Sequence, residues 1–267
     1  MPTADLGDIQ LYYKEHGEGP PVLGVMGFAL DQRYWATQIA GVIQAGHRFI
    51  TFDNRGIRRS TGESPTSIDE MADDAVRLLD HLGIDKTVVY GVSMGGAIAQ
   101  RIAIDHPDRT SALILALTFA RPLEFMRRQE QLGRFILEHG SIRELTEASL
   151  VRMFTPRFFE VGKDVIDRMV AALFVDEEDG PAAKPLLLAQ IDAIEKHDAL
   201  EDLKAISVPT LVIGAKMDQM VPGFASEEIA ATIPGAELVM METGHGAGVE
   251  EMDAFNTAVS TFLTRLR

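Results

Sequence analysis

The chain has 267 residues, 46% of them hydrophobic, enough for a sizeable core within one α/β unit. Its 40 acidic and 25 basic residues leave a formal charge of −15, which disfavours nucleic acid and anionic membrane surfaces as partners. Cysteine is absent, so disulfides, thiolate catalysis and cysteine-based zinc sites are excluded.

The first residues lack the basic and apolar regions of a signal peptide. No apolar run reaches bilayer-spanning length, so a cytoplasmic protein is expected. Residues 9–13 alternate weakly and predict an edge strand, closed by Gly17, Gly19, Pro20 and Pro21. Short apolar runs at 22–26 and 48–52 predict buried strands, with a helix over 34–45 between them. Ile68, Met71, Ala72, Ala75, Val76, Leu79 and Leu82 follow the spacing of one helical face. Ser67 with Glu70 forms a capping-box pattern, and Gly83 can end that helix. A strand over 86–90, a helix over 94–106 stopped by Pro107, and a strand over 112–117 follow.

Alternating strands and helices predict a mostly parallel sheet flanked by helices. The alternation lapses over residues 120–200, which read as an inserted helical cap, and resumes with strands at 208–213 and 237–241 and a last helix. The expected division is a core of 1–119 and 201–267 with the cap at 120–200. Within the cap, the acidic run at 176–179 reads as a solvated loop.

Gly91-Val92-Ser93-Met94-Gly95 matches G-x-S-x-G, with a strand before it and a helix after it. The glycines admit a sharp turn that lifts the Ser93 hydroxyl above the sheet edge. A serine hydroxyl needs a base, and the base needs a carboxylate. Four of the seven histidines follow Ser93: His106, His139, His197 and His245. His245, in a glycine-flanked loop after the last strand, is the best base. Asp218, after the strand at 208–213, is the best acid, with Asp198, Glu201 and Asp202 as alternatives. Candidate oxyanion donors are the backbone N–H groups of Phe28 and Met94.

These pieces resemble the α/β-hydrolase fold family. The carriers are the turn at 91–96, the Asp53-Asn54-Arg55-Gly56 stretch through Ser60, the strand ending near Asp218 with Val221-Pro222, and Gly244-His245 with Glu250 and Phe255-Asn256. Met26 and Arg58 depart from it, standing where histidine and glycine are common. Within the family the chain is similar to the 3-oxoadipate enol-lactonase, small esterase and cofactor-free perhydrolase group.

The resemblance implies a serine hydrolase for a carboxylic ester or lactone, with no cofactor and no metal. Carbon–carbon hydrolysis, peracid formation and ligand sensing through a partner are the alternatives on the same scaffold. The expected partner is a small molecule with an apolar portion; a homo-oligomer is compatible with the sequence. Trp35, Phe119, Phe125, Met153, Phe154 and Phe158 are candidates for the pocket, and Met126, Phe135, Phe159 and Phe174 offer further apolar surface in the cap, most of it expected to be helix core. Arg58 is an unusual cation near the expected site entrance; Arg121, Arg127, Arg128 and Arg134 are candidates for binding a substrate carboxylate, but at near-helical spacing they read as a solvated face.

Overall fold

The computed structural model describes residues 2–173 and 180–266. Phe174 and the acidic run at 176–179 lie outside these residues. The described strands are β1 (Thr3–Asp5), β2 (Gln10–His16), β3 (Pro21–Val25), β4 (Arg48–Phe52), β5 (Thr87–Val92), β6 (Thr110–Ala116), β7 (Thr210–Ala215) and β8 (Glu237–Met241). They form one sheet in the order β1-β2-β4-β3-β5-β6-β7-β8. β1 and β2 are antiparallel to their neighbours; β4, β3 and β5 to β8 run parallel. The expected edge strand at 9–13 is therefore second from the edge, because three-residue β1 covers it. A strand that short leaves no periodicity in the sequence.

The parallel strands are covered on both faces, which is why they read as unbroken apolar runs. On one face, α2 (Ile68–His81), α3 (Met94–Asp105) and α9 (Gly223–Thr232) contribute to one buried cluster with strand residues such as Leu23, Val89 and Leu113. On the other, α1 (Ile39–Gln44) and α11 (Met252–Arg265) contribute Val42, Phe255, Val259 and Phe262 to a second. The helix expected over 34–45 is a 3₁₀ turn at Gln32–Thr37 followed by short α1. Asp31 sets the tighter turn by accepting the Arg33 N–H at 2.8 Å.

At the start of α2, Ser67 Oγ accepts the Glu70 N–H at 3.1 Å. The Glu70 carboxylate does not return to Ser67; it bonds Thr66 and the Arg55 guanidinium. Arg55 also holds buried Asp74 of α2, with Nη2 2.7 Å from Oδ1. The capping box is thus half formed because Arg55 claims its acidic member.

Between β6 and β7 lie α4 (Glu124–His139), α5 (Ile142–Met153), α6 (Pro156–Val161), α7 (Lys163–Leu173) and α8 (Gly180–Lys196). The chain leaves and rejoins the sheet layer at one place, where the Ala199 N–H donates to the Ala120 carbonyl at 2.9 Å. Leu137, Leu145, Leu187 and Ile191 from α4, α5 and α8 form a separate buried cluster. Short α10 (Ala247–Glu250) follows β8. Among the described residues no helix is long and apolar enough to cross a membrane.

Candidate active site

β3, β5, β7 and β8 are parallel, so the loops that follow them emerge at the same edge of the sheet. These loops carry Phe28, Ser93, Asp218 and His245. Ser93 joins β5 to α3 with φ +56°, a left-handed conformation that serine rarely adopts. Neighbouring backbone enforces the glycines: a side-chain carbon on Gly91 would strike the Gly95 carbonyl, and one on Gly95 the Val25 carbonyl. Hydrogen bonds offset the strain. The Ser93 N–H donates to the Ala116 carbonyl at 3.0 Å. The Ser93 carbonyl accepts from the Gly96 N–H at 2.8 Å and the Thr118 hydroxyl at 2.7 Å. Met94 opens α3, so its N–H has no acceptor within the helix.

Asp218 is buried in the loop after β7. Its Oδ1 accepts the N–H groups of Met220 and Val221 at 2.7 and 2.8 Å. Its Oδ2 lies 2.7 Å from His245 Nδ1. A carboxylate at that distance assigns the proton to Nδ1 and leaves Nε2 as the basic nitrogen. Ser93 and His245 both line one cavity of about 1100 Å³. No hydrogen bond joins their side chains in this structure.

The His245 loop is tied to the inserted helices. The Gly246 N–H donates to the Met153 carbonyl at 2.8 Å, and a side-chain carbon on Gly246 would overlap the Phe154 ring. Glu250 accepts the N–H groups of Gly244 and Thr155 at 3.1 and 3.0 Å, and the Thr155 hydroxyl at 2.7 Å.

The other candidate bases and acids lie elsewhere. His106 meets Asp73 at 2.9 Å, and the His139 ring lies tilted against Phe135 with centroids 4.6 Å apart. His197 is buried edge-on to Phe119, and burial pushes its imidazole down to about 4. Asp198 accepts the Leu200 N–H, Glu201 pairs with Lys204, and Asp202 pairs with Arg101. None of these six is in the cavity wall.

Phe28 lines the cavity beside Gly27, where an added side-chain carbon would press on Ser93 Cβ at 3.1 Å. The Met94 side chain is buried in the core, away from the cavity, so any role for this residue there is through its backbone.

Of the pocket candidates, Trp35, Met153 and Phe154 line the cavity. Trp35 is fully buried against Phe49 and Tyr90. Phe119, Phe125 and Phe158 do not line it. Phe119 packs in the core on His197, Phe125 is 49% exposed on α4, and Phe158 packs tilted against Phe154 with centroids 5.2 Å apart. Much of the remaining wall is aliphatic: Leu145 and Leu150 of α5, Met169 of α7, and Leu186 and Leu187 of α8. Their signal in the sequence was helical spacing of leucines; a search for aromatic residues passes over them.

Arg58 also lines the cavity, at φ +46° where glycine would sit without strain. Its Nε is 3.7 Å from Asp31 Oδ2, a carboxylate that also pairs with Arg33 at 2.7 Å. Arg121, Arg128 and Arg134 pair with Glu228, Glu124 and Asp192; neither they nor Arg127 are in the wall. Beneath this rim, burial pushes the Asp53 carboxyl up to about 6, although it accepts the Gln32 N–H at 2.8 Å.

A family model described as alpha/beta hydrolase fold matches residues 20–251. The chain is 32% identical to "Putative carbamate hydrolase RutD" of Azorhizobium caulinodans, over 98% of each chain. It is 29% identical to 3-oxoadipate enol-lactonase 2 of Acinetobacter baylyi, over 98% of this chain and 96% of that one. Among solved structures, the enol-lactonase from Burkholderia xenovorans LB400 superimposes with a TM-score of 0.88 at 27% identity, covering 98% of this chain and all of that one. With the family model spanning β3 to β8, the serine turn and the histidine loop, this chain belongs to the alpha/beta hydrolase fold family and is a hydrolase.

Proposed function

We propose that the chain cleaves a carboxylic ester or lactone through an acyl-enzyme on Ser93. The observation that carries this reading is the Asp218–His245 contact of 2.7 Å beside a cavity that Ser93 also lines. His245 Nε2 takes the Ser93 proton as the oxygen attacks the carbonyl carbon. Asp218 holds the ring in the required tautomer and stabilises the imidazolium. The N–H groups of Phe28 and Met94 receive the developing oxyanion. His245 then gives its proton to the leaving oxygen, and water attacks the acyl carbonyl with His245 again as base.

The aliphatic wall from α5, α7 and α8 supports a substrate with an apolar portion, and residues 120–200 act as a cap over the core of 1–119 and 201–267. Relatives named for lactone and carbamate hydrolysis support a reaction centred on an acyl carbonyl. The test is labelling with a fluorophosphonate followed by mapping of the adduct. Modification at Ser93 is expected; absence of an adduct there under conditions of active turnover contradicts the mechanism.

A further inference from the structure

The loop carrying the candidate oxyanion donor is held from two sides. On one, buried Asn54 donates Nδ2 to the Met26 carbonyl at 3.0 Å. On the other, the Ala29 N–H donates to Gln190 Oε1 at 3.0 Å. Gln190 belongs to α8, 161 residues further along the chain, and is fully buried. Phe28 and Ala29 also pack against the leucine cluster of the inserted helices.

Ala29 needs such a hold. The Leu30 N–H reaches back to the Gly27 carbonyl at 3.4 Å, making residues 27–30 a four-residue turn. Ala29 is third in that turn and has φ +61°. A positive φ there marks the turn form whose central peptide is flipped from the commoner one, a form that favours glycine. That central peptide joins Phe28 to Ala29. Its N–H is the group that Gln190 accepts, so the glutamine selects the flipped form against alanine's own preference. Gln190 Nε2 is buried without a hydrogen-bond partner among the described residues. Leaving an amide NH₂ unpaired is unfavourable, so this side chain is placed for its oxygen.

We propose that Gln190 is a positioning residue: by fixing the Phe28–Ala29 peptide it steadies Phe28, the residue whose own N–H is the candidate oxyanion donor, and makes that donor dependent on the seating of the inserted helices. The inference rests on the acyl-enzyme reading above. Loss of the Gln190 acceptor frees the Phe28–Ala29 peptide to turn over to the form alanine prefers; the Gly27–Phe28 peptide is not itself rotated by that flip, so its N–H is affected through loss of the hold on the carboxyl side of Phe28.

The decisive variants are Gln190→Met, which keeps volume and loses the acceptor, and Ala29→Gly, which removes the alanine penalty. Gln190→Met is expected to lower kcat on an activated ester about 10- to 100-fold, with KM changed less than about threefold, below the roughly 100- to 1,000-fold loss of a whole oxyanion donor. The fluorophosphonate labelling rate at Ser93 should fall in parallel. Adding Ala29→Gly should restore kcat several-fold, which a packing defect at Gln190 would not allow. Unchanged kcat in Gln190→Met, or a loss that Ala29→Gly does not relieve, overturns the proposal. Should Gln190→Met fail to fold, amide exchange in the unaltered chain decides: a protected Ala29 N–H supports the clamp, and rapid exchange overturns it. An unaltered chain that Ser93-directed label does not modify overturns the acyl-enzyme reading and this inference together. Normal labelling with indifferent variants overturns the inference alone.

Discussion

Asp218 uses its two oxygens for different tasks: Oδ1 takes two backbone N–H groups, and Oδ2 lies 2.7 Å from His245 Nδ1. On the proposed mechanism this division separates stability from catalysis. Asp218→Asn keeps an oxygen for Met220 and Val221 but turns an NH₂ group toward His245, which then presents the wrong tautomer to Ser93. The expected outcome is a fall in kcat of about 10³- to 10⁴-fold with little change in melting temperature. Ser93→Ala should lose activity to a similar degree, because alanine can occupy the same turn but supplies no nucleophile. Steady-state kinetics beside thermal unfolding checks both; an Asp218→Asn protein with ordinary turnover would remove Asp218 from the mechanism.

Glu250 bonds both the His245 loop, at Gly244, and the start of α6, at Thr155. Glu250→Ala removes three hydrogen bonds to a carboxylate, and the backbone N–H groups left behind are partly shielded from water. A loss of about 2–3 kcal/mol is expected. Because the freed loop carries His245, kcat should fall as well, by about tenfold or more, while fluorophosphonate still modifies Ser93 slowly. Denaturant unfolding and kinetics on the same preparation test the coupling. A destabilised variant with unaltered kcat would make Glu250 a purely structural tie.

The parts of this fold that were legible in the sequence are those governed by local rules. Buried parallel strands have to be apolar runs, and a serine turn that tight has to be built from glycines, so β5, Ser93 and α3 could be read directly. The order serine, acid, histidine is what the α/β-hydrolase resemblance implies, the loops after strands then pointed to Asp218 and His245, and the structure sets these two in contact beside the cavity that Ser93 lines. What could not be read is polar contact between distant segments. Gln190 with Ala29, and Glu250 with Thr155, lie 161 and 95 residues apart and leave no periodic trace. The choice among Phe119, Phe125, Phe154 and Phe158 failed for a related reason: a phenylalanine on a helix has the same spacing whether it packs inward, lines a cavity or meets solvent. Only Phe154 of these four lines the cavity.

Two arginines in one loop should behave oppositely on substitution. Arg55 is buried with Asp74, a carboxylate that is only 2% exposed. Arg55→Met removes the two-pronged partner of that carboxylate and leaves only Arg77, whose Nη1 is 3.3 Å away, so about 3 kcal/mol of stability should be lost. Arg58, by contrast, occupies a left-handed backbone position next door. Arg58→Gly relieves that strain at the expense of a more flexible unfolded chain, so a change within about 1 kcal/mol, on the stabilising side, is expected. Urea unfolding of the two variants side by side gives the contrast; a strongly destabilised Arg58→Gly would mean the Asp31 contact outweighs the strain.

Glu130, on α4, provides a pH test of the inserted helices. Burial first, and then the nearby Glu195 carboxylate, push its carboxyl up from 4.5 to about 7, and Oε2 is buried without a partner among the described residues. The folded chain therefore holds a proton that the unfolded chain releases between those values. Its contribution to stability is complete below pH 4.5 and declines as pH rises through about 7. Glu130→Gln keeps the side chain neutral at every pH. Relative to the unaltered chain, it should gain about 1 kcal/mol on going from pH 4.5 to pH 8, after allowance for solvent at a half-buried group. That corresponds to about 2–3 °C in the difference between their melting temperatures. Melting curves at the two pH values measure it directly, and a difference that stays constant across them would show that Glu130 ionises in the folded chain as it does in the unfolded one.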